Sequence, residues 1–163
     1  MGIGGDKEVP RVQMVKALKR TVFVGTFRHS VDEKNRVAIP AKWRAAASGA
    51  QEFYVLQHPK EHLYVLTETA MDKMIDKADE IGIGEYEKND TLRLLGGNAH
   101  GTPCDKQGRI TLTEELLRHA GITGEAVLVG VLRGFEIWSP ARLAAVTNNT
   151  AANFTESTRQ LGI

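Results

Sequence analysis

Apolar and polar residues alternate over several short stretches of the chain, a pattern typical of β-strands with one buried face. Longer stretches with apolar residues three or four positions apart predict helices. The predicted strands are residues 21–31, 36–39, 53–57, 63–66, 98–104, 109–112, 126–132 and 135–138. The predicted helices are residues 41–47, one capped by Thr67 or Thr69 and ending near residue 80, 86–95, one beginning at residue 113, and 140–146. In the helix that ends near residue 80, Met71, Met74 and Ile75 are expected to face inward.

This order of elements occurs twice, and each copy contains the same short polar turn. An Asp opens the turn, an Arg follows four positions later, and apolar residues then alternate into a helix. The shared residues are Asp32, Asn35 and Arg36 in the first copy and Asp105, Gly108 and Arg109 in the second, 73 positions apart. Asp bonds readily to turn amides, and Asn and Gly are the residue types best suited to positive φ. A duplicated half is therefore predicted.

The flanking residues also superimpose between the two copies. Trp43 corresponds to Leu116 at the same spacing, and Val65 corresponds to Ile137 after one residue is absorbed in a hairpin turn. Each half alone has too little surface to bury, so the two halves are expected to share one core. We expect an α+β fold in which interleaved hairpins form a small pseudo-twofold β-barrel with flanking helices.

Five segments are predicted along the chain. Residues 1–20 form a basic N-terminal extension and residues 21–80 the first repeat, which a linker helix at 81–95 joins to the second. Residues 96–147 form the second repeat, and the polar tail at 148–163 is expected to be frayed.

Composition adds little, but the distribution of charge is informative. The chain has 163 residues, 42% of them hydrophobic, and a formal net charge of +1, as expected of a soluble globular protein. Between residues 28 and 44 five bases face two acids, and between residues 68 and 90 eight acids face three lysines. This polarity could steer an anionic partner to one side of the molecule.

Cys104 is the only cysteine, which fits a reducing compartment. No apolar run approaches the ~20 residues of a membrane helix, and the N-terminus has no apolar signal core. A cytoplasmic protein is predicted.

The doubled turn resembles that of the MraZ family. Residues 94–99 (Leu-Leu-Gly-Gly-Asn-Ala), 127–130 (Val-Leu-Val-Gly) and 135–138 (Phe-Glu-Ile-Trp) are also similar to this family, and the resemblance covers residues 22–146. It implies a bacterial transcriptional regulator with tandem SpoVT-AbrB-like domains that binds repeated DNA boxes upstream of the cell-division and cell-wall gene cluster. It also implies a ring-shaped homo-oligomer associated with the nucleoid. The family's paired motif corresponds to Asp32 with Arg36 and Asp105 with Arg109, whereas Asn35 stands where the family usually has Gly.

Five bases are the candidate DNA contacts: Arg28, Lys34, Arg36, Lys106 and Arg109. Arg36 could contact a phosphate or reach a guanine edge with two hydrogen bonds. The alternative is structural: each Arg would pair with the Asp of its own turn or join the halves. Because Arg28 and Lys34 correspond to Gly101 and Gln107, the first half is expected to dominate DNA contact.

Metal binding and catalysis have weaker support in the sequence. His58 and His62 have a metal-like spacing, but Pro59 disfavours a helix there, so both are predicted to be surface residues. Cys104 could be a nucleophile with His100 as base, but it reads as a small strand residue. No catalytic group, metal or cofactor is predicted, and a protein-interaction or antitoxin-like module on the same fold is the alternative function.

Overall fold

A computed structural model describes residues 21–44 and 51–163 of the protein. The predicted basic extension 1–20 and residues 45–47 of the first predicted helix lie outside this part. The strands are β1 (Thr26–Ser30), β2 (Arg36–Ala38), β3 (Glu52–His58), β4 (His62–Thr67), β5 (His100–Pro103), β6 (Arg109–Thr111), β7 (Glu125–Gly130) and β8 (Phe135–Trp138). The helices are α1 (Ala41–Arg44), α2 (Glu68–Asp79), α3 (Tyr86–Gly97), α4 (Glu114–Ala120), α5 (Pro140–Ala151) and α6 (Phe154–Gln160).

The strands form two antiparallel sheets, and both sheets combine the two halves of the chain. The larger sheet has the order β1-β7-β8-β4-β3-β5, and the smaller sheet contains β2 and β6. The first strand of each half pairs with the hairpin of the other half, as β1 with β7 and β5 with β3. The mixed α+β fold and the interleaving of the halves are therefore confirmed. The larger sheet has edges at β1 and β5, so its closure into a barrel stays a prediction.

The hydrogen-bonding register repeats between the halves. Phe27 pairs with Leu128, and the residues 73 positions from each, His100 and Val55, also pair. In the smaller sheet Val37 pairs with Ile110, its own counterpart in the second half. A residue paired with its own counterpart lies on the symmetry axis, so a pseudo-twofold axis passes between these two side chains.

One hydrophobic core is shared by both halves. Phe23, Trp43 and Phe53 from the first half surround Phe135 from the second, and all four side chains are buried. The rings of Trp43 and Phe135 have centroids 4.9 Å apart, and the Trp43 indole donates to the carbonyl of Val24 over 3.1 Å. Truncating such an aromatic side chain to Ala costs about 3–5 kcal/mol, so each half depends on the other for its stability.

Side-chain caps begin three of the helices, and of the two candidates Thr67 and Thr69 the cap is Thr67. The hydroxyl oxygens of Thr67, Thr113 and Ser139 accept from backbone amides three positions later, at 3.1–3.2 Å. Pro140 follows the Ser139 cap, where its fixed φ suits the first helical turn. These caps place α2, α4 and α5 directly after the strands or turns that precede them.

Three expectations about helices and strands were wrong in detail. The first strand begins at Thr26, because Gly25 has a φ of 101° and Phe23 forms only an isolated bridge to Leu132. Helix α2 buries no side chain and Ile75 is 49% exposed, so this helix does not pack on the core as a whole. The polar tail is also helical, since α5 continues to Ala151 and α6 follows it. Helices in the described part are all too short or too polar to span a bilayer.

Candidate nucleic-acid interface

The first polar turn is held together by a single carboxylate. Asp32 Oδ1 accepts from the amides of Lys34 and Arg36, at 3.0 and 2.8 Å, and Oδ2 accepts from the Arg36 Nε at 2.7 Å. The backbone closes the same loop, with the Asp32 amide donating to the Arg36 carbonyl. The carboxylate therefore fixes the turn and one edge of the Arg36 guanidinium together.

The second turn repeats this geometry. Asp105 Oδ1 accepts from the amides of Gln107 and Arg109, at 2.9 and 2.8 Å, and Oδ2 accepts from the Arg109 Nε at 2.9 Å. The structural alternative is therefore confirmed for the Nε edge of both arginines. It does not exclude DNA contact, because each guanidinium also carries two terminal Nη groups.

Positive φ values complete both turns. Asn35 has a φ of 60° and Gly108 a φ of 79°, as their residue types predict. Asn35 therefore preserves the backbone that Gly adopts in the second turn, and the departure from the family pattern leaves the turn intact.

The two turns are joined through the smaller sheet. The Leu112 amide donates to the Asn35 carbonyl and the Ile39 amide donates to the Gly108 carbonyl, both at 2.8 Å. These two bonds are related by the pseudo-twofold axis. In each, the carbonyl of the positive-φ residue of one turn accepts from the residue that directly follows the short strand of the other turn. The turns consequently form one rigid pair around the Val37–Ile110 axis.

A longer contact also crosses the axis. The Arg109 Nη1 lies 3.9 Å from the Asp32 Oδ2, which already accepts from Arg36. Within the described residues, no matching contact joins Arg36 to Asp105. Asp32 therefore faces two guanidinium groups, whereas Asp105 faces one.

Both carboxylates have lowered pKa values. The amide of Arg36 is the largest cause of the lowered pKa of Asp32, and the amide of Arg109 plays that part for the pKa of Asp105. Slight burial opposes each shift, and the paired guanidinium reinforces it. At neutral pH the carboxylate of each turn is therefore ionised, and it holds the arginine of its own turn.

The other predicted bases lie around this pair in different settings. Lys34 and Lys106 are exposed at the tips of the two turns. Arg28 lies on β1, 62% exposed, with its Nε 3.1 Å from the Glu125 carboxylate. The two lysines thus belong to the joined pair of turns, while Arg28 lies on an edge strand of the larger sheet and is already paired.

The sequence counts Arg44 among the five bases between residues 28 and 44 of the first half, but the structure places it against the second turn. Its Nε donates to the Ile39 carbonyl at 2.9 Å. A Cβ built on Gly108 would overlap the Arg44 guanidinium. Arg44 and Gly108 are distant in sequence. Their contact could have been predicted only from the way each half pairs with the other half.

The histidine pair departs from the prediction of two surface residues. His62 is 3% exposed and stacks between His58 and Trp138, with ring centroids 4.1 and 4.0 Å away. Its Nε2 lies 3.1 Å from Glu136, which also accepts from the Trp138 indole. His62 is thus buried, with its Nε2 paired across the halves and its Nδ1 without a hydrogen-bond partner in the described part of the chain.

Titration in this cluster follows from the same packing. Burial raises the pKa of Glu136, but hydrogen bonds from His62 and Trp138 outweigh it and leave that pKa lowered. Burial and the neighbouring His62 lower the pKa of His58.

The described residues also contain no group of three His, Cys, Asp or Glu side chains placed to hold a metal ion. Cys104 packs against the core, and burial raises the pKa of its thiol, which opposes thiolate chemistry.

Comparison with known proteins matches the duplicated architecture. The family model of the MraZ protein, described as antitoxin-like, matches this chain twice, at residues 22–94 and 95–162. The second match includes the C-terminal tail, which the resemblance drawn from the sequence left outside.

Curated relatives match over most of their length. The transcriptional regulator MraZ of Oenococcus oeni is 31% identical over 140 residues, covering 86% of this chain and 96% of the relative. The transcriptional regulator MraZ of Thermomicrobium roseum is 33% identical over 131 residues, covering 80% and 91%. With two repeats matched and relatives aligned almost end to end, this chain belongs to the MraZ family.

Proposed function

We propose that this protein is a transcriptional regulator that binds double-stranded DNA in a sequence-specific manner through its two polar turns. Its relatives bear the name of transcriptional regulator, and family membership supports the same role here. The observation that carries the proposal is the pair of Asp-held arginines, Arg36 and Arg109, arranged around one pseudo-twofold axis with exposed lysines at the turn tips.

The hydrogen bond from the Arg36 Nε to Asp32 leaves this arginine well placed to recognise DNA. The Asp32 carboxylate occupies one edge of the guanidinium, and no hydrogen bond from either Arg36 Nη occurs within the described chain. Two parallel Nη groups match the O6 and N7 acceptors of guanine, or two oxygens of a phosphate. A side chain fixed in advance loses less conformational entropy when it binds.

The first turn is proposed to dominate the contact. Arg36 has both Nη groups available, whereas one Nη of Arg109 lies near Asp32. Each turn tip carries one exposed lysine, Lys34 in the first turn and Lys106 in the second, where the first turn has Glu33 instead. The advantage proposed for the first turn therefore rests on the free Nη groups of Arg36, and Lys106 and Arg109 remain as contacts of the second turn.

Binding is proposed to require several protomers. Each phosphate contact is individually weak at physiological salt, and repeated DNA boxes would let a ring-shaped homo-oligomer gain affinity through linkage. Helices α2 and α3 bury no side chain, and together with the loop between them they expose Ile75, Ile83, Tyr86 and Leu94 near acidic residues. We assign the contact between protomers to this surface.

The remaining proposals follow from the family resemblance. The regulator is proposed to repress the cell-division and cell-wall gene cluster by occupying repeated promoter boxes, as a cytoplasmic, nucleoid-associated protein. The two sheets are proposed to enclose the core as a swapped-hairpin barrel, which would keep the two turns at one end of the molecule.

The test begins with DNA selection. A random duplex library passed over the protein should yield an enriched repeated box, and fluorescence anisotropy should show binding that weakens as salt rises. Arg36→Ala should lose about 1–3 kcal/mol of binding free energy and relax specificity at one base position. Arg109→Ala should lose less, and Arg159→Ala, on the C-terminal helix, should match the wild type. An equal or larger loss at Arg109 would contradict dominance of the first turn.

The need for several protomers has its own test. Ile83→Asp combined with Leu94→Asp changes only exposed side chains, 93% and 69% accessible, so the fold should survive. Size-exclusion chromatography should show smaller particles, and these should bind a single box poorly. Ile163→Asp, at an exposed terminus, is the control. Undiminished affinity in a monomeric variant would contradict the proposal.

A non-enzymatic protein-interaction or antitoxin-like module is the second candidate. The family description as antitoxin-like favours it, as does the acidic segment 68–90, which spans two helices that bury no side chain. Retardation of a promoter fragment carrying the selected boxes distinguishes the two functions. Salt-dependent retardation supports DNA binding, whereas a chain that enriches no duplex would favour the interaction module.

A further inference from the structure

Arg44 is a half-buried base whose charge has no partner among the described residues. Arg28, Arg36 and Arg109 each lie within ion-pair distance of a carboxylate, but none of the ion pairs formed in the described part includes Arg44. Its hydrogen bond there is the one from Nε to the Ile39 carbonyl, which leaves the Nη groups without an acceptor in that part of the chain. The adjoining segment 45–50 consists of Ala, Ser and Gly and contributes no acidic side chain.

The position of this guanidinium is set by rigid neighbours. Trp43, fully buried and bonded to the Val24 carbonyl, anchors α1, and the bond to Ile39 directs the Arg44 side chain. The Ile39 amide in turn donates to the Gly108 carbonyl. Arg44 is therefore held against the second turn by the same backbone that joins the two turns.

The two residues at this contact, Arg44 of the first half and Gly108 of the second, are complementary in size. Gly108 leaves the space that the Arg44 guanidinium occupies, since any Cβ there would overlap it. In the other half the corresponding residues are Asn35 and Leu117, a turn residue with a side chain and a base replaced by an apolar residue. Positive φ alone accepts Asn as well as Gly, and a Cβ at position 108 would require the Arg44 guanidinium to move.

An unpaired guanidinium in a partly buried site favours an anion, because removing its charge from water is otherwise uncompensated. We propose that Arg44 forms, with the second turn, a binding site for a phosphate of the DNA backbone. This inference rests on the proposed DNA-binding function. The first half thereby supplies a cation to the second turn, which lacks counterparts of Arg28 and Lys34.

Removing a phosphate contact and removing a base contact have different effects on DNA affinity, on its dependence on sequence and on its dependence on salt. Arg44→Ala should weaken binding about two- to fivefold, the range of an exposed ion pair. The loss should be similar on the selected duplex and on a scrambled duplex of equal length. The slope of log affinity against log salt should fall by about 1. Arg44→Lys should restore most of that slope, and Arg159→Ala should leave affinity and slope unchanged.

Gly108→Asn provides an independent test that leaves Arg44 in place. Asn tolerates the left-handed backbone, as Asn35 does in the first turn, so the variant should fold, but its side chain should displace the guanidinium. It should lower affinity as Arg44→Ala does, and combining the two changes should add little, since contacting residues couple. Thermal denaturation checks the fold of each variant.

The outcomes separate this inference from the function on which it rests. An Arg44→Ala protein that is folded and keeps the wild-type salt slope would overturn the phosphate site, while Arg36→Ala could still abolish binding. A loss confined to the selected duplex would also overturn it, because that indicates base readout. If the wild-type protein bound no duplex, the proposed function itself would fail.

Discussion

The Asp32 carboxylate lies 3.9 Å from the Arg109 guanidinium of the second turn while it holds Arg36 of its own turn at 2.7 Å. Asp105 holds only Arg109 in the described part of the chain. The two turns are alike in backbone geometry, yet one carboxylate lies within ion-pair distance of both arginines. A change at the first Asp should therefore disturb both turns, and a change at the second should disturb one.

Asp32→Asn should weaken DNA binding more than Asp105→Asn. An amide side chain can still accept from the turn amides, but it loses the charge that holds the guanidinium groups. Fluorescence anisotropy on the selected duplex measures the effect, and each variant serves as the matched control for the other. Equal losses would mean that the contact across the axis contributes nothing.

Gly108→Ala should destabilise the fold. A residue with a Cβ in the left-handed conformation costs roughly 1–2 kcal/mol, and the added methyl would also overlap Arg44. Urea denaturation at a fixed protomer concentration measures the free energy of unfolding. Gly84→Ala is the control, since nothing lies within 4 Å of a Cβ at that exposed position. Similar unfolding curves for the two variants would contradict this prediction.

Acid should loosen both turns. The folded-state pKa values of Asp32 and Asp105 are lowered, so their ionised forms stabilise the fold above the ordinary carboxyl value of about 4. This stability should be lost as pH falls below about 4 and through the lowered pKa values. Urea midpoints measured from pH 6 to pH 2.5 test it. The double variant Asp32→Asn, Asp105→Asn should show a weaker acid dependence, and an unchanged dependence would count against the mechanism.

Trp138 should matter both for its volume and for its indole nitrogen. Trp138→Ala removes a ring that is 5% exposed and stacks on His62, so it should cost about 3–5 kcal/mol of unfolding free energy. Trp138→Phe keeps an aromatic ring but removes the donor to Glu136, which should cost about 1 kcal/mol beyond the change in packing. Chemical denaturation compares the two, and equal costs would show that stacking contributes little.

Because the sequence contains two copies of one pattern, much of the fold could be predicted from it. The polar turn residues recur at one spacing, Asn35 and Gly108 are types that accept positive φ, and Thr67, Thr113 and Ser139 are capping residues. These are local preferences, and the structure agrees with each of them. The ends of elements were less predictable, because the exposure of Ile75 and the helicity of the tail depend on what packs against them.

By itself, the sequence determined the duplication and the two Asp–Arg turns, because these arise from local chemistry repeated along the chain. It also indicated the shared core, because each half alone has too little surface to bury. Only the tertiary structure decided which charges meet. Reciprocal pairing of the halves carries Arg44 to Gly108, brings Arg109 near Asp32 and buries His62 beneath Trp138. Those contacts join residues far apart in sequence, and their positions depend on how the hairpins interleave.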